Sequence, residues 1–263
     1  HYLLRPSKQY GQNYLVVEKP IQKMIEVAEL DSTETVVEVG PGFGVLTFEL
    51  LKHAKKVTAF EIEKKLQDYW NEQQENHPNL EVIWGNALYT LPEYSSELQN
   101  YSVVANVPYQ ISSEIIRTVL ELKHKPKKVV MMLQKEVVER ICEEPGDMSL
   151  LAVAVQDYRS AKKEMILPKT YFWPAPKVDS AILSINVHKN QPTQEEAKHF
   201  FRFVKAGFAN KRKQMKKQLV SALNINEEEF LQKLAELGHP ATARAQELSV
   251  EDWKQLAQHF SLK

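Results

Sequence analysis

Three of the chain's eight glycines fall within five residues, at Gly40, Gly42 and Gly44, between a β-rich run and a helical pattern. The run is Thr35–Val39 (TVVEV), and the helical pattern covers 45–54. Glycine adopts backbone conformations closed to other residues and brings the chain close to a ligand with no Cβ in the way. A helix starting behind such a turn leaves free N–H groups aimed at whatever binds there. Glu61 stands at the end of the next β-rich run, about 20 residues on, where a carboxylate can accept two ribose hydroxyls. Together these features read as a nucleotide-binding turn at a sheet switch point rather than a tight turn alone. A dinucleotide fingerprint would read GxGxxG. Here the spacing is GxGxG, Val45 takes the place of the last glycine, and Glu38 sits immediately before the loop. Those differences favour S-adenosylmethionine, an adenosine-bearing methyl donor, over NAD.

The rest of the first 188 residues alternates in the same way. The β-rich runs are Thr35–Val39, Val57–Ile62, Leu80–Trp84, Ser102–Ala105 and Lys128–Leu133, with helical stretches such as 45–54 and 111–122 between them. Alternating strand and helix implies a mostly parallel sheet covered on both faces. Two later runs, near Glu164–Leu167 and 181–187, lack room for a crossover helix and are expected to pair antiparallel at one sheet edge. After Lys189 the β pattern stops. Thr193 with Glu196 starts a helix as a capping box, and Phe200, Phe201, Val204 and Phe208 follow at helical spacing. Asn226 opens another helix that ends at Gly238, and Ser249 opens a last one. The expected organisation is an α/β domain over 1–188 and a small all-helical domain over 189–263.

Composition narrows the setting. Basic and acidic residues balance at 34 each, which excludes a polyelectrolyte tail. The single cysteine, Cys142, excludes a disulfide framework and a CxxC zinc site, and fits a reducing compartment. It shares a helical pattern with Val138 and Ile141, which reads as packing rather than nucleophilic chemistry. No apolar run approaches the ~20 residues that span a bilayer. There is no signal-peptide pattern, and a start at His1 rather than Met implies trimming or an added stretch. These features place the chain in the cytoplasm, away from membranes. No metal cluster is read among the eight histidines, and His53 and His124 read as exposed. Trp84, Phe200, Phe201 and Phe203 read as core or interface residues, while Trp173 is left without a clear assignment.

A second chemistry-bearing motif, Asn106-Val107-Pro108-Tyr109, follows the run Ser102–Ala105. A nucleobase amine is a poor nucleophile because its lone pair is delocalised into the ring. An Asn side-chain oxygen and a main-chain carbonyl can accept its two hydrogens, which draws the nitrogen toward a tetrahedral shape. Pro108 stiffens the loop, and Tyr109 offers a face for a base to stack on, worth ~1–3 kcal/mol. Alone, the tetrapeptide reads equally well as a strand-end turn. After the correct strand of a chain that also carries the glycine loop and Glu61, the chemical reading is favoured.

Charge is uneven along the chain. From Lys189 onward there are 13 basic and 9 acidic residues, a net +4. Lys205, Lys211, Arg212, Lys213, Lys216 and Lys217 fall in one stretch without an acid. Such a stretch is either a solvated helix face or a phosphate-binding surface.

With these motifs the chain resembles the KsgA/RsmA family of small-subunit ribosomal RNA adenine dimethyltransferases across nearly its whole length. The matching segments are Gly11–Leu15 (GQNYL), Glu38–Gly44 (EVGPGFG), Phe60–Glu63 (FEIE), Gly85–Leu88 (GNAL), Asn106–Tyr109 (NVPY), Met132–Val138 (MLQKEVV) and Phe172–Ser180 (FWPAPKVDS). The resemblance implies a class I S-adenosylmethionine-dependent fold, Rossmann-like, with a mostly parallel seven-stranded sheet, an N-terminal lid and a C-terminal helical RNA-binding domain. It places Gln12, Asn13, Leu15, Gly40, Gly42, Gly44, Glu61, Ile62, Asn86, Ala87 and Asn106 at the methyl donor. Glu61 would hold the ribose, Ile62 would lie against the adenine, and Asn86 and Ala87 would border its edge. Asn106, Pro108, Tyr109 and Phe172 would form the catalytic pocket, with Tyr109 and Phe172 covering the two faces of the target adenine. Lys211, Arg212, Lys213, Lys216 and Lys217 would face RNA, with Arg5 and Lys8 near the lid as further contacts. The chain departs from the family pattern with Asn rather than Asp at 86, Tyr rather than Phe at 14 and Val rather than Leu at 107. At 86 the amide can still accept a hydrogen bond, without the charge-assisted part.

The activity implied is double methylation of two adjacent adenosines in the 3′-terminal hairpin of 16S ribosomal RNA, by a monomer acting on the assembling small subunit. The alternatives are a large-subunit adenine methyltransferase of the antibiotic-resistance type and an assembly checkpoint in which catalysis is secondary. The segments 132–138 and 172–180 look more like the small-subunit group. A DNA adenine methyltransferase would need a larger recognition domain than the C-terminal helices provide.

Overall fold

The computed structural model describes residues 13–157, 160–187, 193–210 and 213–260. Their contacts divide the chain into two compact units. The first holds the sheet and comprises residues up to 139 together with 158–189; the second comprises 140–157 and 190–263.

In the first unit, β1 (Tyr14–Leu15) and α1 (Lys19–Ala28) lead into β2 (Thr35–Val39) and the short α2 (Thr47–Leu50). Then follow β3 (Lys56–Glu61), α3 (Gln67–Asn76), β4 (Leu80–Trp84), α4 (Ala87–Tyr94), β5 (Tyr101–Asn106), α5 (Ser112–Glu121) and β6 (Lys128–Gln134). After α6 (Lys135–Ile141) and α7 (Leu150–Gln156) come β7 (Ala161–Leu167), β8 (Phe172–Trp173) and β9 (Ser180–Asn186). Among the described residues the main sheet has seven strands in the order β4-β3-β2-β5-β6-β9-β7. The first five run parallel, and β9 lies antiparallel between β6 and β7, as the missing crossover helix implied.

The parallel strands are near-continuous apolar runs because both faces of such a sheet are covered. Val36 and Val37 of β2 and Val129 to Leu133 of β6 are fully buried. Helix α1 begins with Pro20 in its first turn and buries Ile21, Met24 and Ala28, the spacing of one helix face, against β6, β7 and β9. Strand order reverses direction at β2, with β3 and β5 on either side, and ligands bind at such a switch point.

Several boundaries shift by a residue or more from the sequence reading, β7 beginning as early as Ala161, and three of the differences bear on the site or on the division into units. The run expected at Val57–Ile62 is a strand over Lys56–Glu61, because the carboxylate of Glu61 turns back and accepts the Ile62 N–H at 2.8 Å. Of the helical pattern at 45–54, only Thr47–Leu50 is α-helix. The flanks close i→i+3 turns, with Glu49 N–H to the Leu46 carbonyl at 3.1 Å and His53 N–H to the Leu50 carbonyl at 3.0 Å. The domain division expected at 188/189 omits 140–157, which clusters with the helices. Gly146 and Met148 donate to the Gln246 carbonyl at 2.9 and 3.1 Å, Lys254 pairs with Asp157 at 3.0 Å, and Ala152 and Val153 enter the helical core.

The second unit contains α7, α8 (Gln194–Gly207), α9 (Met215–Leu223), α10 (Glu227–Glu236) and α11 (Val250–His259). Thr193 with Glu196 and Ser249 with Asp252 form the capping boxes at α8 and α11, and the Asn226 side chain accepts the Glu229 N–H at 3.0 Å to cap α10. Phe203, Met215, Leu219, Phe230, Leu234 and Trp253 fill the core, with Phe200 at its edge and Phe201 half-buried against it. Cys142 is half-buried, one residue beyond the buried Ile141, and His53 and His124 are exposed. Among the described residues no helix is long and apolar enough to cross a membrane.

Gly207, at the end of α8, is held against Trp253. A Cβ there would lie 2.3 Å from the ring, which is itself fully buried. Overpacking of this kind costs about 1–3 kcal/mol. Gly207→Ala is expected to lower stability by that amount in urea denaturation followed by circular dichroism; an unchanged midpoint contradicts this packing.

Candidate functional site

The turn after β2 is left-handed at each glycine, with φ of +73° at Gly40, +55° at Gly42 and +85° at Gly44. A Cβ at Gly44 would meet Phe48 at 2.5 Å, and one at Gly40 would press on Pro108 at 3.3 Å. The turn is fixed from outside as well. Trp70 Nε1 donates to the Gly42 carbonyl at 3.1 Å, and the Tyr69 hydroxyl donates to the Phe43 carbonyl at 2.9 Å. Tyr69 and Trp70 escaped the sequence reading because they sit on α3, far along the chain, and carry no local motif.

Glu61 ends β3 beside this turn and is buried. Its carboxylate accepts the N–H groups of Ile62 at 2.8 Å, Glu63 at 2.7 Å and Gly42 at 3.3 Å. Burial raises its pKa, and these backbone donors hold it back. The carboxylate therefore links the β3 end to the glycine turn. Glu38, the last but one residue of β2, is fully buried without such donors. Its Oε2 has no hydrogen-bond partner, the Thr47 hydroxyl lies near without completing a bond, and burial pushes its pKa up to about 8. Near neutral pH it is a protonated acid facing the cavity.

On the other side of the switch point, β5 delivers the tetrapeptide. Asn106 pairs in register with Met132 of β6, and the Val107 N–H continues the ladder to the Met132 carbonyl at 3.2 Å. Val107 is buried, so its replacement of Leu is a packing change. Asn106 is half-buried, and its side chain makes no hydrogen bond to the described residues. Tyr109 is half-buried, and its hydroxyl shares a 2.5 Å hydrogen bond with Ser180 Oγ at the start of β9. Burial raises its pKa, so the phenol stays neutral and serves as a ring held in place.

Phe172 reaches the same place through topology. Leu167 at the end of β7 and Gln134 at the end of β6 both pair with Ser180, so the 168–179 connection lies at the carboxyl end of the parallel strands. Within it, β8 pairs antiparallel with β1, Leu15 opposite Phe172 and Tyr14 opposite Trp173, and Val16 N–H donates to the Tyr171 carbonyl at 2.9 Å. This ladder ties the expected lid segment to the connection, a link the sequence did not reveal. Phe172 and Leu15 are buried. The Tyr14 ring lies against Phe43 at 4.7 Å between centroids, and burial with Glu61 and Glu63 nearby pushes its hydroxyl pKa up to about 12.

One cavity of about 250 Å³ joins these parts. Asn13, Leu15, Gly40, Gly42, Glu61, Ile62, Asn86, Ala87, Asn106, Pro108, Tyr109 and Phe172 all line it, as does Glu38. Gly44 lies behind, under Phe48. Ile62 leaves apolar surface exposed at 41%. Asn86 has a structural role beside its place in the cavity wall: its amide oxygen accepts the Leu88 N–H at 3.1 Å and caps α4. Asn and Asp cap helices about equally well, so the exchange at 86 preserves that local role.

The cavity suits a purine nucleoside carrying a charged tail. It offers a left-handed glycine turn, a carboxylate at a strand end, an apolar side chain beside it and an orphaned buried carboxyl oxygen. Three comparisons bear on what kind of protein has such a site. A family profile described as "Ribosomal RNA adenine dimethylase" matches residues 4–261. The chain belongs to that family.

Among curated relatives of this dimethylase, "Ribosomal RNA small subunit methyltransferase A" of Dehalococcoides mccartyi is 37% identical over 262 residues, 99% of this chain and 90% of the relative. The protein of the same name in Fusobacterium nucleatum is 34% identical, with 97% of each chain covered. Among solved structures, the 23S rRNA methyltransferase ErmE is similar with a TM-score of 0.78 and 26% identity, covering 95% of this chain and all of that one. A dimethyladenosine transferase from Plasmodium falciparum gives the same TM-score and identity, with 94% and 96% covered. The dimethylase fold is thus the class I methyltransferase architecture that the family resemblance implied.

The basic stretch is described only in part. Gln12, Lys211 and Arg212, like Arg5 and Lys8, lie outside the described residues. Lys205, Lys213 and Lys217 are exposed in the helical unit, while Lys216 is engaged by Glu227 at 2.8 Å.

The protonated state of Glu38 has a measurable consequence. Its carboxyl binds a proton in the folded protein up to about pH 8, against an ordinary value of 4.5. Folding therefore takes up a proton between these limits, and stability falls as pH rises across them. Thermal unfolding of Glu38→Gln, which cannot ionise, is expected to gain on the parent steadily from about pH 5 to about pH 8. Parallel curves contradict a neutral Glu38.

Proposed function

We propose that this dimethylase transfers methyl groups from S-adenosylmethionine to the exocyclic amines of two adjacent adenosines in the 3′-terminal hairpin of small-subunit ribosomal RNA. The observation that carries the reading is that Asn106, Tyr109 and Phe172 share one cavity with the glycine turn and Glu61. The full-length likeness to small-subunit methyltransferases, at 34–37% identity, supports the small subunit over the large.

S-adenosylmethionine supplies a methyl group already activated on a sulfonium. The chain's own residues prepare the acceptor. Tyr109 and Phe172 would sandwich an adenine that has left its stack, as base-modifying enzymes require. The Asn106 amide oxygen, with no competing partner among the described residues, would accept one amine hydrogen, and a main-chain carbonyl of the loop the other. That releases the nitrogen lone pair along the line to the methyl carbon. Positioning and fixed dipoles lower such a barrier without a strong base. Neither cavity carboxyl is suited to be one. Glu38 holds its proton near neutral pH, and Glu61 is engaged by three backbone donors. The amine proton becomes acidic once the nitrogen is alkylated and leaves to solvent.

The finer reading is that the assembling small subunit is the substrate, met by a monomer in the cytoplasm, with Lys213 and Lys217 of the helical unit on RNA phosphates. Incubation with unmethylated small subunits and labelled donor, followed by mass spectrometry of the RNA, is expected to place dimethyladenosine near its 3′ end. Small subunits left unlabelled, while large subunits supplied in a parallel reaction take up the label, overturn the assignment. Asn106→Ala is expected to lower the transfer rate about 10²–10³-fold, the scale of losing one fixed polar group at the reacting centre. Tyr109→Phe keeps the ring and should stay within a few-fold of the parent, whereas Tyr109→Ala should lose most activity while RNA binding persists. Equal loss in both tyrosine variants contradicts stacking as the role of Tyr109.

A further inference from the structure

The connection at 168–179 has two faces, and the site uses only one. Adjacent residues of a strand point to opposite sides, and in β8 Phe172 is buried at 4% while Trp173 is 61% exposed. An indole this open forgoes the burial that large aromatics usually find. Lys169, four residues before it, and Lys177, four after, are also exposed, and neither has an ion pair among the described residues. The connection is pinned into shape: Asp179 Oδ1 accepts the Lys169 N–H at 2.9 Å, and its carbonyl accepts the Lys135 N–H at 2.9 Å. Lys169 and Lys177 border a shallow groove with Lys135. The acids there are Glu136, Glu139 and Asp179. Glu139 is already shared by Lys163 at 3.2 Å and Lys135 at 3.9 Å, and Asp179 holds the loop. Lys169 and Lys177 are left to the solvent.

An exposed aromatic face on a fixed loop that also carries two exposed lysines without ion pairs among the described residues is the chemistry of a single-stranded nucleic-acid contact: the ring takes a base and the cations take phosphates. We propose that Trp173 stacks on the nucleotide next to the target adenosine while Lys169 and Lys177 hold the flanking phosphates. This inference rests on the reading of the neighbouring cavity as a target-base pocket. One short strand then performs two tasks. Phe172 covers the extracted base, and Trp173 keeps its neighbour from closing back over it. The catalytic unit carries its own RNA contact, in addition to the basic stretch of the helical unit.

The test measures equilibrium binding of an unmethylated 3′-terminal hairpin RNA, and of the same hairpin lacking one base beside the target. Trp173→Ala is expected to weaken the intact hairpin about 10-fold, within the range for loss of one base–aromatic stack, and the abasic hairpin little. Trp173→Tyr should restore most of the affinity. The double variant Lys169→Gln, Lys177→Gln should flatten the log–log salt dependence by about 1.4, as loss of two single-strand phosphate contacts requires. S-adenosylhomocysteine affinity, measured by calorimetry, should be unchanged in all of them. Equal loss on both RNAs, no loss with Trp173→Ala, an unchanged salt slope, or weakened S-adenosylhomocysteine binding each overturns the proposal. A parent protein that neither binds nor methylates the hairpin overturns the reading of the cavity itself, a different result from an active parent with an indifferent Trp173.

Discussion

The site depends on a backbone that must run left-handed three times in five residues. Gly40, Gly42 and Gly44 each have φ above +50°, a region that side chains occupy only at a cost. The turn lines the cavity at Gly40 and Gly42 without a Cβ and lets Pro108 pack close against Gly40. Its shape is shared out among distant elements: Trp70 and Tyr69 grip its carbonyls from α3, Glu61 grips the Gly42 N–H from β3, and Phe48 fills the space under Gly44. The glycine turn and the Asn106–Tyr109 loop are thus set against one another across the cavity through a few fixed contacts.

The second constraint is topological. A parallel sheet places its loops at one edge, and the antiparallel entry of β9 beside β6 returns the chain to that same edge. The 168–179 connection is therefore forced over the tetrapeptide. Phe172 and Tyr109 arrive from different parts of the sequence, and Ser180 joins them by taking the Tyr109 hydroxyl at the first residue of β9. The β1–β8 ladder adds the 14–15 segment to the same wall. Burial then sets the charge of the cavity: Glu38 stays protonated near neutral pH, while at Glu61 the rise that burial causes is held back by three backbone donors.

Much of this was legible in the sequence, for identifiable reasons. Central parallel strands are written as β-branched runs, so TVVEV and KVVMML were readable. A glycine turn at a switch point announces itself by spacing, and capping residues such as Thr193, Asn226 and Ser249 mark helix starts locally. What was not legible is non-local. Nothing near Tyr69 or Trp70 says that they hold a turn on another element. Nothing in LLAVAVQ says that α7 packs with helices that begin some forty residues later. The end of β3 was misplaced by one residue because a carboxylate turned back on its own backbone, and the cap formed by Asn86 was hidden behind its expected role at a ligand.

The central claim is that one cavity holds the methyl donor and an unstacked adenine in line. Its most direct measurement is a crystal structure of the protein with S-adenosylhomocysteine and an adenosine-containing oligonucleotide. The account predicts the ribose at Glu61, the target ring between Tyr109 and Phe172, and its amine beside the Asn106 amide oxygen and facing the sulfur. A nucleoside lodged away from residues 106–109, or an amine turned from the sulfur, would contradict it.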